Sequence, residues 1–235
     1  RQWVTVTADA PMQAHEAPVL VFDVLGSLLD EDAGQRRAVE QELDLPAAAS
    51  SQFVERWSVR FHELVTLIQE RREPYQTPEV LYARAALDVA ASTPANVTEQ
   101  TAQRLARFGR SLDPFPGVPA ALNELSRRHA LIALTNAGTA QAFAMSRHAG
   151  LRWSTLISGE VVQAYKPDPM MYRYAISALD LQPGRCVFIA AHHWDLQAAA
   201  RYGFRTAYLD RSGSGYDDRV DFQAPDLAQL MAQLD

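Results

Sequence analysis

Short apolar runs, with polar residues at or soon after their ends, are the feature of this sequence that most restricts its fold. Buried strands of a parallel sheet read as such runs, and parallel strands need helical connections between them. The strong runs are VLVFD at 19–23, LIALT at 131–135, CVFIA at 186–190 and TAYL at 206–209, with a weaker one at 156–158. The pattern predicts an α/β fold, with a doubly wound parallel sheet and right-handed crossovers.

Helical patterns separate these runs. They cover residues 120–127, 140–149, 169–179 and 196–202, and another lies at 227–234. Gly150 and Gly203 follow two of them, as is typical of helix C-termini. Strands and helices therefore alternate through this part of the chain.

The stretch between the first and second runs has a different pattern. It contains four helical patterns and no convincing strand, and one of them carries an apolar stripe from Phe53 to Ile68 at helical spacing. We predict a polar lead-in at residues 1–17, an α/β core domain at 18–31 and 113–235, and an all-helical cap domain at 32–112. The insert should cover the carboxyl ends of the strands, where open α/β sheets bind ligands.

Charge and hydropathy argue against several partners. The chain of 235 residues has a net charge of -6 and no run of basic residues, so we expect no nucleic-acid partner and no attraction to anionic membranes. No apolar run approaches the roughly 18 residues of a membrane span, and residues 1–17 have no signal-peptide core. A cytoplasmic location is the expectation.

The basic residues are almost all arginine. Of the 22 basic residues, the only lysine is Lys166. A coding bias toward arginine could leave one lysine by chance. Alternatively, Lys166 performs a task that needs a compact ammonium on a flexible stem and that a planar guanidinium cannot perform. Composition alone leaves both interpretations open.

Polar side chains follow four of the predicted strands. They are Asp23 and Ser27, then Thr135 and Asn136, then Lys166, and finally His192 and Asp195. Because the carboxyl ends of parallel strands meet at one edge of a sheet, we expect these residues to converge. Any one of them alone would more often be a turn or capping residue, but four such loops in this order predict a functional site.

The segments VFDVLGSLLD, LTN, YKPDPMMY and FIAAHHWD resemble the four motifs of the haloacid dehalogenase (HAD) superfamily. The resemblance runs from about residue 19 through nearly the whole chain and implies the superfamily's Rossmann-like core. Within the superfamily the chain is most similar to the type II L-2-haloacid dehalogenases. These proteins have a helical cap after the first motif and a tryptophan before the acid of the fourth, as in Trp194-Asp195.

Leu25 separates the branches that the resemblance leaves open. Phosphatases of the superfamily have a second aspartate two positions after the nucleophile, which serves as acid and base and helps to hold Mg²⁺. Leucine cannot donate a proton, although its loop still offers backbone groups to a substrate. The resemblance thus implies a dehalogenase that needs no metal or other cofactor.

The resemblance also implies catalytic roles. Asp23 would attack the substrate carbon that bears the leaving group and form an ester, which water then hydrolyses. Lys166 would keep Asp23 ionised, Asp195 would position Lys166 and the water, and Ser27 would donate a hydrogen bond to Asp23.

Other residues would contact the substrate, a small halogenated carboxylic acid of the haloacetate or 2-halopropionate type. Thr135 and Asn136 would orient the carboxylate and the leaving group. Tyr172 matches a tyrosine of the family and would join the same network, unless it is simply a buried aromatic residue. A homodimer is also expected from the resemblance.

Two positions depart from the family. The family has an arginine that grips the departing halide directly after the cap tryptophan, where this chain has Ser58; His62, one helical turn later, could take over part of this task. His192 stands where the family has asparagine and could still donate a hydrogen bond. Two alternatives stay open: a Mg²⁺-dependent phosphatase, and a binding protein of this fold that has lost catalysis.

Overall fold

The computed structural model describes residues 18–93, 95–211, 213, 215 and 220–234. The predicted lead-in at residues 1–17 lies outside the described residues. Among the described helices, none is both long enough and apolar enough to cross a membrane.

The described chain forms one six-stranded sheet in which every pair of neighbouring strands is parallel. The strands are β1 (Val19–Phe22), β2 (Leu131–Thr135), β3 (Thr155–Ser158), β4 (Cys186–Ala190), β5 (Arg205–Leu209) and β6 (Phe222–Ala224). Their order is β3-β2-β1-β4-β5-β6, so the α/β prediction is confirmed.

The first strand lies in the middle of the sheet. Leu20 pairs with Leu131 of β2 on one side and with Val187 of β4 on the other. The order of strands reverses direction at this point, and in open α/β sheets ligands bind beyond the carboxyl ends of the strands there. The residues that follow β1 are thus placed where a site is expected.

Most helices of the structure connect or follow these strands. They are α1 (Glu31–Glu42), α2 (Ala47–Gln69), α3 (Pro78–Ala90), α4 (Glu99–Ala106), α5 (Val118–Leu125), α6 (Thr139–His148), α7 (Gly159–Val162), α8 (Pro169–Ala178), α9 (His193–Ala200) and α10 (Leu227–Leu234), with short 3-10 helices at Arg107–Arg110 and Pro183–Arg185. The helices predicted at 120–127, 140–149, 169–179 and 196–202 correspond to α5, α6, α8 and α9, with ends that differ by one to three residues.

Helices α1 to α4 follow one another with no named strand among the described residues between β1 and β2. Trp57 of α2 is fully buried in this block, where its indole nitrogen donates a hydrogen bond to the Tyr82 carbonyl at 2.8 Å. The Trp57 ring also contacts Phe108 edge-on, with 5.4 Å between the ring centroids. The helical content of the insert is as expected, while its division from the core as a separate domain stays a prediction.

Two strands of the sheet are buried along their whole length. All five residues of β2 and all five of β4 are buried, which accounts for their unbroken apolar sequence. The strand β6 was not predicted, because it has three residues, FQA, and its glutamine is exposed. It extends the sheet beside β5 and packs against α10.

Candidate active site

The loop after β1 holds a buried carboxylate. Asp23 is 4% exposed, and its backbone N–H donates to the Ile189 carbonyl at 2.9 Å, which fixes it against β4. Ser27 Oγ donates to Asp23 Oδ2 at 2.6 Å and accepts from the Ala191 N–H at 2.8 Å. The predicted hydrogen bond between Ser27 and Asp23 is therefore present.

The turn between these two residues needs glycine. Gly26 has a φ of +70°, and a Cβ atom there would lie 3.0 Å from the ring of His192. A side chain at this position would be strained by the backbone and would also push against the imidazole. The turn thus brings the His192 ring close to the loop that carries Asp23.

Lys166 stands between two carboxylates. Its Nζ atom lies 2.7 Å from Asp23 Oδ1 and 2.5 Å from Asp195 Oδ2, and the residue is 2% exposed. The other oxygen of Asp195 accepts a hydrogen bond from the Tyr172 hydroxyl at 2.5 Å. The only lysine of the sequence thus occupies a site where a compact ammonium bridges two buried acids.

Burial and neighbouring charges shift the pKa values of this cluster in opposite directions. Burial alone would raise the pKa of Asp23, but the charge of Lys166 and the contact with His192 outweigh it and hold that pKa far below its usual range. Burial would lower the pKa of Lys166, and the two carboxylates raise it instead. Asp195 is more deeply buried, and burial raises its pKa despite Lys166. Asp23 is therefore an ionised carboxylate next to a charged ammonium, as a nucleophile requires.

The backbone of Lys166 is held from two directions. Asn136 Oδ1 accepts from the Lys166 N–H at 2.6 Å, and the Gln69 side chain at the end of α2 donates to the Lys166 carbonyl at 3.1 Å. The following bond, Lys166–Pro167, is a cis peptide. Asn136 thus holds the backbone of Lys166 in place, and it also faces the cavity in front of the site.

His192 is the second cationic partner of Asp23. Its Nδ1 atom lies 2.8 Å from Asp23 Oδ2, and its ring stacks on Trp194 with 5.4 Å between the centroids. Burial lowers the pKa of His192, but the hydrogen bond and the charge of Asp23 exceed that effect, so the pKa is raised above its usual value. The ring consequently donates to the carboxylate in the resting site.

A cavity of about 320 Å³ opens in front of these groups, between the strand ends and the helices of the insert. Its wall includes six of the predicted site residues: Asp23, Leu25, His62, Asn136, Lys166 and His192. Ser27, Tyr172 and Asp195 lie behind this wall, in contact with residues that form it.

Two predicted substrate contacts are corrected by this geometry. Thr135 is fully buried, and its hydroxyl accepts from the Ala137 N–H at 3.2 Å, so it shapes the strand end and does not line the cavity. Ser58 does not line the cavity either, because it lies one turn, about 6 Å, further from the strand ends than His62. Its carbonyl oxygen is 2.7 Å from His62 Nδ1.

Tyr172 and Asp195 join the hydrogen-bond network as predicted, but neither residue lines the cavity. Tyr172 is fully buried and reaches the site only through Asp195, so it has no contact with the cavity. Asp195 is 0% exposed, with one oxygen on Lys166 and the other on Tyr172. The cavity wall does not include Asp195, so it positions Lys166 but is not placed to hold a water in the cavity.

Sequence reasoning missed much of the cavity wall, and the helical insert supplies most of the missed residues. The missed residues are Glu31, Phe61, Val65, Thr66, Gln69, Pro78, Tyr82, Tyr165, Pro167 and Trp194. Together with the predicted His62, those on α2 lie at positions 61, 62, 65, 66 and 69, which is the spacing of one helix face. That face overlaps the apolar stripe that was interpreted mainly as core.

Glu31 is the unexpected acid of the cavity. It follows Asp30, whose side chain caps α1 by accepting from the Ala33 N–H, and it accepts a hydrogen bond from the Tyr82 hydroxyl at 3.0 Å. Burial raises the pKa of Glu31. The position of Glu31 in the sequence could have identified it as a site residue, since the first turn of the helix that follows a site loop must lie beside that loop.

Comparison with known proteins gives one consistent group of relatives. The chain is 37% identical over 118 residues to the (S)-2-haloacid dehalogenase of Pseudomonas sp. (strain YL), a match that covers 49% of this chain and 50% of that protein. The matched segment thus spans about half the length of this curated relative.

Two crystal structures extend the similarity over nearly the whole chain. The L-2-haloacid dehalogenase PA0810 superposes with a TM-score of 0.84 and 30% identity, covering 92% of this chain and 98% of that one. The defluorinating L-2-haloacid dehalogenase Rha0230 gives a TM-score of 0.81 and 26% identity, covering 93% and 95%.

Residues 18–203 match the family of haloacid dehalogenase-like hydrolases. This range contains the strand ends, the buried Asp23, the bridging Lys166 and the helical insert that closes the cavity. The chain therefore belongs to the haloacid dehalogenase-like hydrolases.

Proposed function

We propose that this protein hydrolyses small 2-haloalkanoic acids, of the haloacetate or 2-halopropionate type, through an ester on Asp23. One observation carries the proposal: the buried carboxylate of Asp23 opens onto the cavity while Lys166 holds it ionised from 2.7 Å away. A carboxylate that is ionised, desolvated and fixed in orientation is suited to displace a halide from carbon.

In the first step an oxygen of Asp23 forms a bond to the carbon bearing the halogen, and the carbon–halogen bond breaks with the electron pair leaving on the halide. In the second step water adds to the Asp23 carbonyl carbon. The bond from that carbon to the substrate oxygen then breaks and releases a 2-hydroxy acid. In the resting site Lys166 and Ser27 lie within hydrogen-bond distance of the two Asp23 oxygens.

The cavity agrees with a small anionic substrate. Its volume of about 320 Å³ lies at the small end of the range for ligand cavities and accommodates a molecule of a few heavy atoms. Lys166, His192 and the half-buried amide of Asn136 offer hydrogen-bond donors on one side, while Phe61 and Val65 offer an apolar surface. The names of the relatives, which include an (S)-2-haloacid dehalogenase and a defluorinating enzyme, support the same substrate class.

The metal-dependent phosphatase is less well supported. Both oxygens of Asp23 already bind protein donors, with Lys166 on one and with Ser27 and His192 on the other. A divalent cation on Asp23 would have to compete with these donors, and Leu25 supplies no second carboxylate beside it. The residues present do not fit a magnesium centre.

The test is halide release from 2-chloropropionate, bromoacetate and fluoroacetate by the purified protein. We expect turnover of at least one of them, with a loss of about 10³-fold or more in Asp23→Asn, which removes the nucleophilic oxygen. Lys166→Arg should lose about 10²-fold or more, because the larger planar guanidinium does not fit the same buried bridge.

Several outcomes would refute the proposal. Folded protein that releases no halide from any of the acids, while it hydrolyses p-nitrophenyl phosphate with Mg²⁺, would establish the phosphatase instead. Inactivity in both assays would favour the binding protein. Normal turnover in Lys166→Arg would show that the lone lysine is an accident of composition. The homodimer and the cytoplasmic location stay predictions, and size-exclusion chromatography tests the first of them.

A further inference from the structure

The Asp23 ester has to be hydrolysed, and the second step therefore needs a group that takes a proton from water. Asp195 was expected to position that water, yet it is fully buried and both of its oxygens are occupied by Lys166 and Tyr172. Lys166 has no free electron pair while it is protonated, and its two carboxylate partners raise its pKa further. In this structure the described groups that a water in the cavity can reach are those on the cavity wall.

We propose that His192 is the general base that activates the water for hydrolysis of the Asp23 ester, an inference that rests on the proposed dehalogenase function. Its Nδ1 atom lies 2.8 Å from an Asp23 oxygen, and the side chain is 36% exposed, so a water molecule can reach both the ring and the ester carbon. A general base must lie about 2.6–3.2 Å from the water that it deprotonates, and this contact places the ring beside the carbon that such a water would attack.

Other titratable side chains of the described wall are less well placed. The Nδ1 atom of His62 lies 2.7 Å from the Ser58 carbonyl, and the described hydrogen bonds of His62 do not include Asp23. Glu31 accepts its hydrogen bond from Tyr82, and its described contacts do not include Asp23. Among the described histidines, His192 is the one that contacts the nucleophile.

Formation of the ester would itself lower the pKa of His192. In the resting site the charge of Asp23 raises the pKa of His192, whereas burial and the positive charge of Lys166 lower it. Alkylation neutralises Asp23 and removes the raising effect, while the lowering effects remain. The more distant charges that face the ring, on Asp195 and Glu31, are too weak to replace that of Asp23. The ring then loses its proton to solvent and becomes basic.

The proton balance closes over one turnover. Nδ1 of neutral His192 takes a proton from water as the water oxygen bonds to the Asp23 carbonyl carbon. The tetrahedral intermediate collapses, the bond to the substrate oxygen breaks, and the departing alkoxide takes that proton from the ring. Asp23, now a carboxylic acid, passes its proton to His192 and restores the resting ion pair. The haloacid and water have become a hydroxy acid, a halide and one proton.

The experiment mixes each enzyme with excess 2-chloropropionate, or with whichever tested haloacid the wild type turns over. Rapid quenching, halide titration and intact-protein mass spectrometry then follow the ester. In His192→Gln and His192→Ala we expect a burst of about one halide per active site, an added mass on Asp23, and a kcat lower by about 10²-fold or more. His193→Gln is the matched control, since that exposed ring follows His192 directly in the chain but does not line the cavity.

A pH series separates a base from a structural residue. In the wild type, decay of the ester should accelerate with rising pH and then level off, and both His192 variants should lack this ionisation. If either folded variant turns over like the wild type without an ester, the proposal is wrong. It is equally wrong if the halide burst disappears together with turnover, because His192 would then act in the first step. Absence of halide release by the wild type overturns the proposed function as well.

Discussion

Single residues explain most of the site. Lys166 was singled out by composition, as one ammonium among 21 guanidiniums, and the structure places it 2.7 Å and 2.5 Å from two buried carboxylates. A guanidinium is larger, and its donors lie in a fixed plane, so it could not bridge the same two oxygens within that space. The arrangement favours a functional reason for the one lysine.

Alanine substitutions at Gly26 and Gly150 separate two effects of an added methyl group: strain of the backbone at positive φ, and contact with a neighbouring side chain. In Gly26→Ala the new Cβ meets both a φ of +70° and the His192 ring at 3.0 Å. In Gly150→Ala the φ of +68° is similar, but nothing lies within 4 Å. Both variants should lose about 1–2 kcal/mol of unfolding free energy, because an L-residue is strained at positive φ.

Only the first of these variants should also lose activity. Displacement of the His192 ring disturbs its contact with Asp23, so kcat for halide release should fall in Gly26→Ala and stay near the wild-type value in Gly150→Ala. Urea unfolding and steady-state kinetics on the same preparations give both quantities. Equal kcat values in the two variants would mean that the ring adapts to the added methyl group.

At this scale the sequence predicts which residues gather but not which of them face the ligand. Asp23 and Lys166 could be assigned because strand ends converge. Thr135 was assigned to the substrate from its place at a strand end, and Tyr172 from its match to a tyrosine of the family, yet both side chains point into the protein. Position along a chain fixes the edge of the sheet on which a residue lies, whereas the direction of its side chain depends on neighbours that only the folded structure shows.

Helix α2 is the element that joins the insert to the site. One of its faces carries Phe61, His62 and Gln69 on the cavity, and Gln69 reaches the Lys166 carbonyl. Another face buries Phe53 and Trp57 among the other helices. The position of α2 relative to the catalytic lysine therefore depends on packing that is remote from the cavity.

A variant of Trp57 tests how far α2 depends on its packing against the other helices. In Trp57→Phe the helix loses a buried hydrogen bond of 2.8 Å to the Tyr82 carbonyl and part of its contact with Phe108. The unfolding free energy should fall by about 1–3 kcal/mol, with a smaller effect on catalysis. Val59→Ala is the control, because Val59 lies on the same helix and is 55% exposed.

Urea titrations report both values, and we expect Val59→Ala to stay within about 0.5 kcal/mol of the wild type. If Trp57→Phe were as stable as the wild type, the buried hydrogen bond would contribute nothing measurable to the helical block.

Strands were easier to predict than the details of the insert. The runs that became β1, β2, β4 and β5 are apolar because both faces of the sheet are covered, so the sequence carries the signal without help from context. The three residues of β6 carry no such signal. For α2, periodicity reveals which residues share a face. It does not reveal how far each residue lies from the edge of the sheet, and the prediction for Ser58 was wrong for this reason.

The whole molecule should respond to pH through the ion pair of the site. The pKa of His192 is raised in the folded state, so its contribution to stability is fully present below the ordinary histidine value of about 6.5 and is lost as pH rises through the folded value. The pKa of Asp23 is lowered, so its contribution is present above about 3.9 and is lost as pH falls through the folded value.

The difference in unfolding free energy between the wild type and His192→Gln should therefore shrink as pH rises from about 6 to about 9. Urea unfolding over this range measures it. A difference that is constant with pH would mean that the ring is neutral in the folded enzyme, and the ion pair with Asp23 would then have to be abandoned.

The position of β1 in the centre of the sheet has a consequence for biosynthesis. Val19–Phe22 pairs with Leu131–Thr135 and Cys186–Ala190, which come much later in the chain. The helical block between β1 and β2 has mostly local contacts and can form while the chain is still being extended. The strand that carries the nucleophile waits for both partners, so the ribosome must extend the chain from β1 as far as β4 before Asp23 has a site in which to act.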